Sequence, residues 1–483
     1  MQPKYDLKQL PLFFQNHYLK IMKNTFKKES QSQNLSFMLE SPMPKVVLKM
    51  AVPTILSMLV MSVYGLSDMF FVSRLGTSAS AAVGIVFSIM TMIQAVGFML
   101  GIGAGSLISR SLGAGNKNDA ESVVSVTFFS GILGGVLMMI LGLFFKSDIM
   151  KFLGATETIL PYAKDFSHYI LLAAPVMCCS FVLNILLRIQ GKPTFSMIGL
   201  SLGGILNIIL EPIFIFGFKL GIGGAAIATL ISQFVSFLIL LIMYLNNNTF
   251  AKIRISLFFR DFFKWFGKIC YNGSSSLLRQ GLVVIANVLI NVHASKYGDS
   301  AVAGMSISGR IFILVISVMF GLGQGFQPVA GFCFGAKRYD KVKSAFNFTL
   351  IVSTILQLAF AFLLFRFSSE VITLFQKDAQ VVKIGSEAVR FFAISLPFLP
   401  LSVIANMLFQ ICGQETQSIF LSSCRQGVFF LPLIIFLPHF WGLTGLELCQ
   451  PIANILSGLV SIPFIIAFFK RFRYSKNLSP KKS

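Results

Sequence analysis

Long apolar stretches recur along this chain with only short polar intervals between them, which leaves little room for anything but a membrane protein. A helix needs about 20 mostly apolar residues to cross a bilayer core of roughly 30 Å. Twelve stretches qualify, at approximately 46–72, 82–108, 122–145, 166–187, 196–217, 223–245, 272–295, 301–327, 345–366, 391–411, 418–437 and 445–469. Hydrophobic residues make up 55% of the chain and charged ones only 12%, outside what a soluble core requires. Lipid offers no partner to a bare peptide group, so each stretch must close its own hydrogen bonds as a helix. The expectation is an all-α integral membrane protein with twelve transmembrane helices.

An even number of spans puts both termini on one side, and lysine and arginine identify that side. Of the 40 basic residues, 27 fall in the segments that share a side with the termini and 10 in the opposite loops, while Arg279, Arg310 and Arg425 lie within spans. The termini are therefore expected in the cytoplasm, with the chain in the cell (inner or plasma) membrane. The same bias accounts for the net charge of +22 without nucleic acid, for which the chain carries no binding motif. In the N-terminal tail, residues 7–28 alternate apolar residues with lysines. They fit either an amphipathic segment on the anionic leaflet or a basic tail. The seven cysteines, at 178, 179, 270, 333, 412, 424 and 449, form no CxxC pair, so neither disulfides nor a metal cluster is expected.

The chain is also written twice, at an offset close to 222 residues. LGTSASAA at 75–82 matches YGDSAVAG at 297–304, GIGAG at 101–105 matches GLGQG at 321–325, and GIGG at 221–224 matches GLTG at 442–445. Gly113 pairs with Gly335, Pro175 with Pro397 and Gly191 with Gly413. Six spans per half make the duplication parallel, so two six-helix lobes should be related by a pseudo-two-fold along the membrane normal. The domain expectation is a basic tail at 1–45, an N-lobe at 46–246, a cytoplasmic linker at 247–271, a C-lobe at 272–470 and a second basic tail at 471–483.

Acids are scarce inside the spans. Only Asp68 and Glu211 sit well within one, with Glu447 near the start of the last. A mid-bilayer carboxylate costs about 2.5 to 3.5 kcal/mol on insertion scales, offset by protonation, pairing or a bound cation. Asn207 shares a helix face with Glu211, four residues away. Pro212 cannot donate to the carbonyl of Ile208 and crowds it, so a kink and a hinge are expected there. Carboxylate, amide and carbonyl within one turn make an oxygen-rich site suited to H⁺ or Na⁺. Thr229 and Tyr64 could add hydroxyls.

The stretches AVPTILSMLVMSVYGLSDMFFVSRLG, GIGAGSLISRSLGAGNKNDA, LNIILEPIFIFGFKLGIGGAAIAT and GLGQGFQPVAGFCFGAK resemble the multidrug and toxic compound extrusion (MATE) family of secondary transporters over nearly all of positions 45–470. That resemblance implies two lobes forming a V, and export of organic, often cationic, compounds and drugs in exchange for H⁺ or Na⁺, with no cofactor. Carried over by residue, it implies a cation site of Asp68, Asn207, Glu211, Thr229 and Tyr64, with Na⁺ held by Asp68, Asn207, Glu211 and Thr229, and a fourth-helix asparagine at Asn184 beside it. Glu211 is an aspartate in many relatives. The seventh-helix glutamate of one branch is absent, and Arg279 and Gln280 occupy that region, so the chain is similar to the DinF-like rather than the NorM-like branch. Asn184, Arg279 and Gln280 are candidates for the substrate cleft.

The mechanism expected is alternating access by a monomer, with bending at Pro212 and at the glycines of GIGAG. A lipid-linked oligosaccharide flippase of related architecture is the alternative, kept open by Arg188, Arg279, Arg310 and Arg425. An enzyme is not expected, since HExxH is missing and the histidines are isolated, and an ATP-driven pump is not expected because GxxxxGK[ST] is missing.

Overall fold

The computed structural model describes residues 40–246 and 249–477, all of them helix, turn or coil. The tail segment 7–28 lies outside the described residues. Fifteen α-helices are numbered here in chain order. In the first half α1 is Met43–Ser73, α2 Thr77–Gly113, α3 Lys117–Phe144, α4 Lys146–Phe152, α5 Leu160–Ile189, α6 Pro193–Pro212 and α7 Gly221–Asn246. In the second, α8 is Ile255–Ala294, α9 Asp299–Gly335, α10 Tyr339–Arg366, α11 Ser368–Thr373, α12 Ala379–Ser395, α13 Leu399–Ile411, α14 Glu415–Ser423 and α15 Phe430–Asn477.

Among the described residues, eleven continuous helical runs are long and apolar enough to cross a membrane. The last, Glu415–Arg471, has 57 residues, which at about 1.5 Å each would span nearly three bilayer cores. It is broken at Gly442, where φ 58° and ψ −133° leave the helical region, so the run supplies two crossings and the total is twelve. The basic and apolar stretch at 251–268 is not a separate surface element beyond its first turn. From Ile255 onward it is the first part of α8, which continues unbroken to Ala294.

The sequence repeat reappears as repeated contacts. Asn184 donates its amide to the Ser196 carbonyl at 3.1 Å, and Asn406 donates to the Ser418 carbonyl at 2.7 Å, each residue 222 positions from its counterpart. Gly191 and Gly413 take φ of 77° and 78° to end α5 and α13 in the left-handed turn that glycine adopts without penalty.

The GIGAG and GLGQG segments do not bend their helices out of register; α2 and α9 run continuously through them. Their glycines let other helices come close. A Cβ on Gly101 would strike Ile185, and one on Gly323 would strike Met407; a Cβ on Gly103 would strike Ile269 and Gly273, and one on Gly325 would strike Ala51. Residues 185 and 407, and 51 and 273, are again 222 apart. At the end of the seam, Gly113 faces the Phe332 carbonyl and Gly335 the Arg110 carbonyl, a symmetric crossing of α2 over α9. Small residues at such crossings replace the hydrophobic drive that helices lack in lipid.

Hydrogen bonds between the two halves gather toward the end that holds Met43, Gly113 and Gly335. Thr54 Oγ1 donates to the Gly321 carbonyl at 2.7 Å, Ser62 and Ser317 hydroxyls meet at 2.8 Å, and Arg188 Nη1 donates to Gln324 Oε1. Beyond Ser62 toward Ser73, no hydrogen bond joins α1 to the second half among the described residues.

A side chain at Gly113 or Gly335 must therefore push the halves apart. Gly113→Val and Gly335→Val are each expected to lower the thermal unfolding midpoint in detergent by several degrees, with overpacking costing about 1–3 kcal/mol. Gly267→Ala, where a Cβ meets nothing within 4 Å, is expected to leave the midpoint unchanged or slightly raised. Equal midpoints for all three variants would contradict the packing role.

Candidate functional site

Helix α6 carries its polar groups on one stripe. Ser196, Gly199, Leu200, Gly203, Asn207 and Glu211 are buried at spacings of three and four residues, while Leu202, Ile205, Ile209 and Ile213 on the other face are exposed, as lipid-facing residues would be. The Gly203–Gly204 pair sets the stripe in place. A Cβ on Gly204 would lie 3.3 Å from Val60 and 3.8 Å from Tyr64 of α1, and one on Gly203 would meet Ser236 of α7 at 2.6 Å. Adjacent positions on α6 thus let α1 and α7 close in from two sides, and the residues one and two turns further on, Asn207 and Glu211, are enclosed between them.

Four of the five expected cation-site residues are almost wholly buried: Asp68 is 7% exposed, Glu211 0%, Asn207 1% and Thr229 1%; Tyr64 is half-buried. The structure brings all five together. Asn207 Nδ2 donates to Thr229 Oγ1 at 3.1 Å. The Asp68 and Glu211 carboxyl groups lie close enough for each to act on the other, and Tyr64 lies beside both acids. Yet Tyr64 Oη, Asp68 Oδ1, Asn207 Oδ1 and both Glu211 oxygens have no geometrically sound donor among the described residues. Two facing carboxylates cannot hydrogen-bond each other without a proton, so proximity and lack of partners are the same fact. No lysine or arginine pairs with either acid among the described residues. Such a cluster is completed by a proton shared between the carboxyls or by a small cation among the oxygens.

Beside the acids lies a cavity lined by Tyr64, Gln94, Phe181, Gly203, Asn207 and Gln233, among others. Gln94 and Gln233 carry no sequence signal that marks them, because a lone glutamine in a span reads as ordinary packing. Pro212 stands where the α-helix gives way to a π-helical turn, Ile213–Gly217, an irregularity that accommodates the missing N–H.

The three residues expected in the substrate cleft are not brought together. Asn184 is buried and spends its amide on the Ser196 carbonyl. Arg279 belongs to the other half, in a pocket with Ser402, Asn406, Ser422 and Arg425, and its guanidinium lies 5.7 Å from the Phe320 ring centroid. Gln280, half-buried, lines neither pocket. Glu447, which sequence position puts at a span edge, is 1% exposed with both carboxylate oxygens unpartnered among the described residues; the kink at Gly442 draws it inward. Arg188 is fully buried and has Nε and Nη2 without partners.

At the Met43 end a polar cluster ties the halves. Arg110 Nη2 lies 3.9 Å from Glu415 Oε1, and Asn272 joins both, donating to Glu415 at 2.6 Å and accepting from Arg110 at 3.2 Å in the amide orientation that satisfies each. Nearby, Lys264 pairs with Asp119 at 3.4 Å and Arg254 with Glu121 at 3.7 Å, and Ser122 donates to Asp261 at 2.6 Å.

Known proteins resemble this chain over nearly its whole length. A protein named multidrug export protein MepA from Staphylococcus aureus (strain MRSA252) is 25% identical over 450 residues, 93% of this chain and 99% of its own, and the Staphylococcus saprophyticus protein of the same name is 25% identical over 447 residues, 92% of this chain and 98% of its own. A crystal structure of MATE in complex with MaL6 superposes with a TM-score of 0.85 at 26% identity, covering 91% of this chain and 99% of that one. An outward-facing multidrug resistance MATE family transporter of the MOP superfamily gives 0.85 at 26% identity, over 90% and 98% of the two chains. The sequence profile of the MatE family matches twice, over residues 53–213 and 276–436, one copy in each half, and with most of its length so matched the chain belongs to the MatE family of membrane transporters.

Proposed function

We propose that this protein exports small organic molecules, often cationic drugs, by antiport with H⁺ or Na⁺, and that Asp68 and Glu211 carry the coupling ion. The observation that supports this above all others is the pair of buried carboxyl groups facing each other with no donor. Relatives named for multidrug export give the substrate class. A cation or proton entering between the acids removes a like-charge repulsion inside the bilayer, and leaving restores it. Occupancy of the site thus changes the energy of the α1–α6–α7 packing around it. Thr229, Asn207 and Tyr64 supply the remaining oxygens. One elementary charge moving across 100 mV supplies about 2.3 kcal/mol, enough to drive a useful gradient of substrate.

In the proposed cycle the N-lobe, 46–246, and the C-lobe, 272–470, rock about the seam, with the 247–271 segment joining them and the Pro212 to Gly217 irregularity as hinge. The Arg110–Glu415–Asn272 cluster and the Thr54, Ser62 and Arg188 bonds hold the Met43 end shut while the acid end is open. The bias of basic residues puts the termini and that closed end in the cytoplasm, and the chain acts as a monomer in the inner or plasma membrane.

Two experiments test this reading. Dye efflux from proteoliposomes under an imposed ΔpH or ΔpNa is expected to fall at least tenfold for Asp68→Asn and for Glu211→Gln, and unimpaired gradient-driven efflux by both would refute the coupling site. For the closed end, a variant retaining Cys412 as its sole cysteine reports opening, because Cys412 is buried and immediately precedes the Gly413 turn that Arg110 crowds. Charge-assisted hydrogen bonds contribute about 1.5–3 kcal/mol, so Arg110→Ala or Glu415→Gln is expected to raise the maleimide labelling rate of Cys412 about tenfold or more. Unchanged rates in both would remove the cluster from the cycle.

A further inference from the structure

The cavity beside the acids, itself lined by no charged side chain, has a counterpart in the second half lined by two arginines. Phe181, Leu200 and Gly203 line the first; Val403, Ser422 and Arg425, each 222 positions later, line the second. The two are the same cavity duplicated. The acids were not carried across, since Ile290, Phe429 and Leu433 stand 222 positions beyond Asp68, Asn207 and Glu211. Two arginines, Arg279 of α8 and Arg425 of the π-helical turn Cys424–Val428 that follows α14, line the second cavity instead.

These arginines lack what buried arginines ordinarily have. Neither forms an ion pair among the described residues, and the charge that acts on Arg425 is that of Arg279. Arg425 is only 7% exposed, so its charge is poorly hydrated and its neighbour repels it. Of the residues around them, Asn406 keeps an unpartnered Oδ1 while its amide is already spent. Asn406 Nδ2 donates to the Ser422 hydroxyl at 2.8 Å and to the Ser418 carbonyl at 2.7 Å, so Ser422 accepts from within the protein and keeps its own proton for the cavity. A like-charged pair within a span, Arg425 buried and Arg279 half-buried, is costly until an anion joins it, and a guanidinium fork matches two oxygens of a carboxylate or phosphate.

We propose that the pocket of Arg279, Arg425 and Ser422 binds an oxyanion, the carboxylate or phosphate group of a transported molecule or the phosphate of a lipid headgroup. This site stands whether or not the acid pair in the first half couples ions, because it shares no residue with it. An anionic group held in one lobe and a cation in the other would also let the protein accept zwitterionic and anionic compounds that the acid pair alone would repel.

The test measures binding to the full-length protein in phosphatidylcholine nanodiscs, by thermal shift for benzoate and inorganic phosphate and by native mass spectrometry for retained phosphatidylglycerol, each at constant ionic strength set with chloride. A saturable shift with benzoate or phosphate that weakens at least tenfold in Arg279→Gln and Arg425→Gln supports a soluble substrate group. Retention of phosphatidylglycerol that both variants lose supports a lipid headgroup. Arg425→Lys, which keeps the charge and loses the fork, is expected to lie between parent and Gln variant, and serves where Arg425→Gln does not fold. Gly267→Ala, where a Cβ meets nothing within 4 Å, is expected to match the parent. If no probe binds saturably to the parent, or if the arginine variants bind as the parent does, the site is refuted.

Discussion

A polar atom inside a bilayer has no solvent to turn to, so everything charged in this protein must be answered by another part of the protein or by something the protein carries. That constraint sorts the side chains. Backbone groups are answered by helices, and of the broken places the π-helical turn after Ser423 buries Cys424, Arg425 and Gln426, whereas the turn after Pro212 buries only Ile215. Hydroxyls of Thr54, Ser109, Ser308 and Thr349 are answered by carbonyls, often one turn back on their own helix. Among the charged groups within the spans of the described residues, Asp68, Glu211, Glu447 and two nitrogens of Arg188 have atoms with no partner, and Arg279 and Arg425 form no ion pair. The unanswered groups are where a transported ion or molecule has something to gain.

Gene duplication supplied two copies of one six-helix unit, and the copies kept packing while exchanging charge. Glycines at the seam persist in both halves because a Cβ there would strike backbone of the opposite half, whichever lobe carries it. The cavity-lining positions had no such constraint. Gly203 became, or came from, Arg425, and the acid-bearing positions of the first half are aliphatic or aromatic in the second. The result is a symmetric scaffold around an asymmetric pair of pockets, one without a charged lining beside the two acids and one lined by two arginines.

The seam joins these pockets mechanically. Its hydrogen bonds and ion pairs are concentrated at one end of the bundle, and the acid cluster lies beyond the last of them. In the proposed cycle, closing the acid end requires the other end to give up the Arg110–Glu415–Asn272 cluster and its neighbours, which stabilise this conformation.

Much of this was legible in the sequence. Apolar length gave the twelve crossings, the 222-residue offset gave the two lobes, and the isolation of Asp68 and Glu211 among aliphatic residues marked the site, because each rests on local pattern and on the uniform energetics of lipid. Sequence spacing also put Asn207 on the face of Glu211, as α6 has it. It could not tell that Arg279 and Arg425, 146 positions apart, share a pocket, that Gln94 and Gln233 line the acid cavity, that Glu447 is buried, or that the GIGAG glycines serve close packing rather than bending. Those depend on which helices meet and at what rotation, and that is fixed by the sum of many small contacts between distant segments. The chain by itself thus determined how many helices cross and which charges cannot rest in lipid; only the tertiary structure decided which of those charges face one another, since a helix fixes the neighbours of a side chain along its own axis and leaves those across the bundle to packing.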